Sequence, residues 1–261
     1  MKKMPVLSVG HGKPMNALDK NSPFNQNFRQ TTQTFEKPKA ILMISAHWYS
    51  SRLQVTSGEN PPMIYDFHGF PEELNQVQYP AQGSPELAEK VRSLLAPESV
   101  EMNPTRGFDH GAWTVLKYLY LDADVPVVQL SINRLQPAEW HFALAKKLAP
   151  LRDEGVLIIG SGNIVHNLRA ISWEHINQIG AGYDWAFAFR NEINQAIDAQ
   201  NDDLLVHYGQ LGENAELAVP TPDHYLPLLY VMALREPSDK VAFFNDELMA
   251  GSLSMTSVLI G

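Results

Sequence analysis

The chain contains no cysteine, which removes disulfides, thiolate nucleophiles, Cys-ligated zinc and Cys-ligated iron-sulfur clusters together. Any metal it binds must therefore take nitrogen and oxygen ligands. Positive charge is also scarce. Twenty Lys and Arg stand against 29 Asp and Glu, a formal net charge of -9, and this leaves no basic footprint for nucleic acid or an anionic lipid surface. No run of 18 apolar residues occurs, and the opening MKKMPVLSVGHG is interrupted at Gly10 and His11 before an apolar signal-peptide centre could form. These absences predict a soluble cytoplasmic protein with no nucleic acid and no membrane among its partners. What remains is 261 residues of 44% hydrophobic content, enough for a sizeable core and consistent with one domain over 1–261.

Strand-length apolar runs rich in Val and Ile recur at Val6 to Val9, Ile41 to Ser45, Val125 to Ile132 and Val156 to Ile159. Helical patterns lie between them. SPELAEKVRSLLAP offers Ser84 as N-cap and Pro85 at the first helical position, and PAEWHFALAKKLAPLRDEG reads as one helix ending at Gly155. Strand-helix-strand order at this spacing predicts an α/β sheet covered on both faces. Farther on, Tyr183 to Gln200 reads as helix and DHYLPLLYVMAL as a helix start. VAFFN and LSMTSVLI read as strands pairing antiparallel, which would make the sheet mixed. The stretch from Gln54 to Gly83 is punctuated by glycine and proline and predicts an irregular loop with at most one short strand, the type of segment that often lines a binding site.

Three histidines follow predicted strands. His11 succeeds the first run, His47 the second, and His166 follows VLIIGSGNIV. Open α/β sheets bind ligands beyond the carboxyl ends of their strands. His224 stands at a helix start in PTPDHYLP, and His110 in GFDHGAW follows Asp109, which either orients an imidazole or caps the next helix. Imidazole is the commonest metal ligand, yet the dispersed spacing matches no local zinc signature such as H-E-x-x-H. On the residues alone, a metal site and a set of unrelated strand-end histidines both stay open. His141 inside an amphipathic helix, and His175 and His207 in polar surroundings, have a structural reading. GSGNIV lacks the third glycine of a dinucleotide fingerprint and the order of a serine-hydrolase elbow, and GHGKP is no P-loop.

Taken together, GHGKPMN, SAHWYS, DFHGFP, YPAQGSPELA, GFDHGAW, VPVVQLSI, GSGNIVHNLR, TPDHYLPLLYV and GSLSMTSVLIG resemble the DOPA 4,5-dioxygenase group of the class III extradiol ring-cleaving dioxygenases. The resemblance runs through nearly the whole chain in consistent order. It implies a three-layer α/β/α fold around a central mixed sheet, like the catalytic subunit of protocatechuate 4,5-dioxygenase, and an enzyme that opens a catechol ring with O2 to a semialdehyde. It further implies His11, His47 and His224 as metal ligands, His166 as the pocket acid/base with a possible part as fourth ligand, and His110 on the substrate or oxygen side. The wider class usually supplies a glutamate as third ligand, where this branch offers His224. Three neutral imidazoles leave a dication uncompensated. The resemblance implies Fe(II) for activity, while an all-histidine triad is also the arrangement of carbonic-anhydrase-type zinc, so Zn is expected as the metal readily bound.

His68, Trp48 and Trp113 are expected to wall the aromatic ring of the substrate. An imidazole titrating near 6.5 suits His166 to proton transfer at neutrality. Lys13, where relatives carry a small residue, puts a cation near the site mouth. A monomer or small homo-oligomer with a small catechol and O2 as its partners is expected. The competing readings are a zinc hydrolase using the same histidines and a metal-free or metal-sequestering binding protein on the same scaffold.

Overall fold

Along Ile41 to Ile44 of the computed structural model, Leu42 and Ile44 face one hydrophobic core while Ile41 and Met43 face another. That two-residue period, fully apolar on both sides, is what a strand buried between two layers requires. The structure describes residues 2–261. Its strands are β1 (Val6–Gly10), β2 (Ala40–Ser50), β3 (Gln54–Thr56), β4 (Glu101–Asn103), β5 (Val127–Asn133), β6 (Val156–Gly162), β7 (Val241–Phe244), β8 (Leu248–Met249), β9 (Leu253–Ser254) and β10 (Ser257–Ile260). Among the described residues, eight of them form one mixed sheet in the order β4-β3-β5-β2-β6-β1-β10-β7, and β8 and β9 pair separately.

The centre of that sheet is parallel: β5, β2, β6 and β1 run in one direction. Antiparallel pairing enters where β3 meets β5 and where β10 joins β1 and β7. One face is covered by the helices Pro85–Leu94, Ala138–Lys146, Asp184–Asp198 and Leu226–Met232, the other by Pro23–Thr32 and His110–Leu119. This is the three-layer α/β/α arrangement with a mixed sheet. No helix among the described residues is long and apolar enough to cross a membrane.

Local chemistry sets the helix starts. The Ser84 side chain accepts from the Leu87 amide at 3.2 Å, and Asp109 accepts from the Ala112 amide at 3.1 Å, each satisfying a donor that has no partner within its own helix. Asp109 therefore caps its helix and does not orient His110.

Three expectations need correction. The segment from Pro137 to Gly155 is not one helix: Pro150 cannot donate to the preceding turn, and a separate turn, Pro150–Asp153, follows Ala138–Lys146. LSMTSVLI is two strands, because the hydroxyls of Ser254 and Thr256 hydrogen-bond each other at 2.6 Å and turn the chain between β9 and β10. The second apolar run does not stop before His47. The strand continues to Ser50, with its register to β5 shifting between Ile44 and Tyr49.

Candidate metal centre

That register shift explains the histidine inside a buried strand. A bulge inserts residues out of step with the neighbouring strand and re-aims a side chain, so His47 leaves the core plane at the carboxyl end of β2. His11 follows β1 directly, His166 lies four residues beyond β6, His110 opens the helix His110–Leu119, and His224 ends the 3-10 turn Pro222–His224. The parallel strands thus deliver three of the five to one edge of the sheet, and two loops bring the others.

All five imidazoles meet there. The His11 ring centre lies 5.0 Å from that of His47, 5.3 Å from that of His224 and 5.9 Å from that of His110. His47 lies 3.8 Å from His110 and 5.1 Å from His224. The ligand atoms of His11, His47 and His110 all fall within 4.8 Å of one another.

Hydrogen bonds assign the proton on three of the rings, and a carboxylate contact favours one placement on a fourth. The Ser161 hydroxyl donates to the Gly111 carbonyl at 2.6 Å, so at 3.1 Å from His11 Nδ1 its oxygen can only accept. His11 is therefore the Nδ1–H tautomer with its lone pair on Nε2. The Asp223 carboxylate does the same for His224 Nδ1, and the two oxygens of Asp66 lie 2.9 Å from His110 Nδ1 and 3.4 Å from His47 Nδ1. With the His47 proton on Nδ1, the placement that the Asp66 carboxylate 3.4 Å away favours, His11 Nε2 and His47 Nε2 face each other at 3.2 Å as two acceptors. His224 Nε2 is buried and has no hydrogen-bond partner. Bare lone pairs converging in a buried space are repulsive to each other and attractive to a cation, and the donor set of neutral imidazoles backed by carboxylates fits a divalent transition metal.

The electrostatics agree with neutral rings. Burial first, then the neighbouring imidazoles, hold His11 and His47 well below the usual histidine range. Asp66 is pushed up by burial, but the hydrogen bonds it accepts from the ring and backbone amide of His110 help to outweigh that and bring it down to about 2. Asp223 is likewise lowered, chiefly by its bond to His224 acting against burial. Both carboxylates are thus charged and second to the ligand nitrogens.

His166 departs from expectation in two respects. Burial, then the proximity of His224, lowers it to about 3, so it is a neutral imidazole and does not titrate near 6.5. Its ring also stacks on His224 with centres 3.4 Å apart and planes 3° from parallel. Lone pairs lie in the ring plane, and those of two parallel rings run side by side without meeting. In this orientation His166 does not share a coordination point with His224.

The expected ring-walling residues are not gathered at the cluster. His68 is exposed on its loop. Trp113 is fully buried, and its indole N–H donates to the Ile64 carbonyl at 3.0 Å, placing it behind the loop as an anchor. Trp48 is 5% exposed, with the Arg106 guanidinium over its ring at 4.9 Å. The aromatic that stands beside the histidines is Phe67, 5.7 Å from the His110 ring. The Lys13 ammonium bonds Asn177 Oδ1 at 2.5 Å, and its burial lowers its pKa.

Sequence reasoning missed Phe67, Asp66, Ser161 and Asp223. DFHGFP drew notice for its histidine, and PTPDH carries Asp223 directly before His224, where adjacency was the available signal. Two glycines make the clustering sterically possible. A Cβ on Gly111 would stand 2.5 Å from Ser45 Oγ and 2.8 Å from His47 Cδ2, and one on Gly162 would press into the His224 carbonyl.

Residues 4–225 match the family described as the catalytic LigB subunit of aromatic ring-opening dioxygenase. The chain is 43% identical over 263 aligned positions to the 4,5-DOPA dioxygenase extradiol of Escherichia coli (strain K12), an alignment covering 99% of this chain and 95% of that one. It is 38% identical to the 4,5-DOPA dioxygenase extradiol of Beta vulgaris, over 95% of this chain and 93% of the relative. A crystal structure of an uncharacterized protein from Escherichia coli K12 matches with a TM-score of 0.86 at 40% identity, covering 99% of this chain and 100% of that chain.

Proposed function

The chain belongs to the family of LigB-type aromatic ring-opening dioxygenases, and on that premise we propose that it cleaves an L-DOPA-like catechol at the 4,5-extradiol bond with Fe(II) held by His11, His47 and His224. The observation that supports the ligand set is the pair of Nε2 atoms of His11 and His47 facing each other at 3.2 Å, with the His224 ring centre 5.3 Å and 5.1 Å from theirs and its Nε2 buried without a partner. His110 is also within reach. His224 is preferred as third ligand because, among the described residues, no other histidine has a buried nitrogen without a hydrogen-bond partner.

When bound, Fe(II) supplies the electronic link through which a catechol reduces O2. The residues of the chain supply the rest. His166, stacked against His224 and unprotonated at neutral pH, accepts a proton from the arriving diol. The negative charge of that diol raises the basicity of the imidazole at the moment the proton moves. His110, fixed by Asp66, keeps its Nε2 toward the cluster on the side where O2 or substrate approaches, and Phe67 closes that side to water. Three neutral imidazoles also favour zinc, which generally outcompetes Fe(II) at such ligands, so zinc is the metal expected after aerobic purification.

The test is anaerobic reconstitution with Fe(II), followed by oxygen uptake across a panel of catechols. The expected result is one O2 consumed per diol with growth of a yellow semialdehyde. An absence of uptake with every diol overturns the dioxygenase chemistry, and turnover that persists without oxygen on a hydrolysable ester points to the zinc-hydrolase reading.

A further inference from the structure

Asp66 belongs to the long loop between β3 and the helix Pro85–Leu94, far along the chain from the two histidines it contacts, His47 and His110. Its Oδ1 accepts from both the backbone amide of His110, at 3.0 Å, and His110 Nδ1, at 2.9 Å, while Oδ2 faces His47 Nδ1 at 3.4 Å. One carboxylate thus spans a histidine of the bulged strand and a histidine of a helix N-terminus. The loop that carries it is also fastened by Trp113 through the Ile64 carbonyl, by the Tyr65 hydroxyl, which donates to the Val77 carbonyl at 2.7 Å, and by backbone bonds that pair it with Phe108.

We propose that Asp66 is a positioning residue of the metal centre: it holds His47 and His110 as Nδ1–H tautomers with Nε2 turned inward, and so makes the loop of residues 57–83 a working part of the site. A carboxylate behind a ligating imidazole fixes the ring and strengthens the ligand nitrogen. The same contact must act in reverse. If an ordered loop raises metal affinity through Asp66, a bound metal stabilises the ordered loop by an equal factor, because coupling between two binding equilibria is reciprocal. The inference rests on His47 being a ligand, as proposed above.

The experiment titrates Zn(II) into the metal-free protein against a chromophoric chelator, with hydrogen exchange of residues 57–83 followed in parallel. D66A and D66N are each expected to weaken Zn(II) binding by about 10- to 100-fold. D66N keeps the shape of the side chain but turns an N–H toward a ring N–H, so it decides the matter should D66A fold poorly. Wild-type exchange in the loop is expected to slow on Zn(II) addition and the D66N exchange to stay unchanged. Y65F loosens the loop while leaving the Asp66 carboxylate in place, and is expected to weaken binding by clearly less than either Asp66 variant. Wild-type affinity in both Asp66 variants, or a loss in Y65F equal to theirs, overturns the proposal. H47A separates the two readings: if it binds Zn(II) as tightly as wild type, the ligand set itself is wrong, and if it alone loses the metal, only the role of Asp66 fails.

Discussion

Replacing His166 with alanine removes a ring that leans on a ligand without sharing its coordination point. The proposed division of labour makes a sharp expectation of that variant. Metal content stays at the wild-type level, because Nε2 of His11, His47 and His224 is untouched, while turnover of the catechol falls by about 10²-fold or more, the usual worth of a placed acid/base. Metal analysis and steady-state kinetics on the same preparation check it. A variant that loses its metal would show His166 to be a ligand after all, and one with full activity would leave the proton to another group. The buried ring of His141 gives the contrast at this scale. It is fully buried, bonded to the Tyr230 hydroxyl at 2.8 Å and the Asn133 carbonyl at 3.1 Å, so both nitrogens are occupied and it has no capacity left for chemistry.

The elements place these side chains through close backbone approach. At the end of β6 the Asn163 amide donates to the His224 carbonyl at 2.8 Å and the Gly162 carbonyl accepts from the His11 amide at 3.2 Å, so one strand end fixes two proposed ligands. Gly162 tolerates no Cβ there. Substituting alanine forces the Pro222–His224 turn outward, and overpacking of this sort costs about 1–3 kcal/mol. We expect Gly162→Ala to lower the thermal midpoint and to weaken metal binding together, measured by calorimetry and by Zn(II) titration. Normal values for both would mean that the turn shifts freely. At this scale much of the structure was legible in the sequence. The parallel strands declare themselves through unbroken Val and Ile runs, and the cap at Ser84 through ordinary N-cap chemistry, while the sequence leaves Asp109 open between a cap and a partner for an imidazole, which its bond to the Ala112 amide decides. The bulge at His47 was not legible, because an apolar run gives no sign of a register shift that only the pairing with β5 creates. The division of LSMTSVLI was hidden for a related reason, since it depends on a hydroxyl pair, Ser254 with Thr256, that an apolar pattern does not register.

For the molecule as a whole, the proposed ligand set exists only in the folded chain, so folding and metal binding are expected to be linked. At a free metal concentration 100 times its Kd, binding adds about 2.7 kcal/mol to stability, which in a chain of this size moves the thermal midpoint by roughly 5–10 °C. Chelator dialysis is expected to lower the midpoint by that amount, and returning Zn(II) or Fe(II) to restore it. An unchanged midpoint would argue against any common coordination point. The three-layer architecture could be anticipated from the order of strands and helices. The meeting of positions 11, 47 and 224 could not, since no local spacing encodes it. It was reached through resemblance to a family, and the carboxylates behind the rings escaped even that, because a supporting Asp has no sequence signature apart from the imidazole it supports.

The strand before His11 has a partner on each side, β6 beginning at residue 156 and β10 at residue 257. During synthesis the first proposed ligand therefore leaves the ribosome long before either neighbour exists. Until Val258 reaches its place opposite Ser8, one edge of that strand is without its native cover. A nascent chain halted near residue 240 could gather its histidines only loosely, and its open edge would be a target for chaperones or for another chain. With the proposed ligand set, a centre that includes His224 can be completed only after most of the chain has been made.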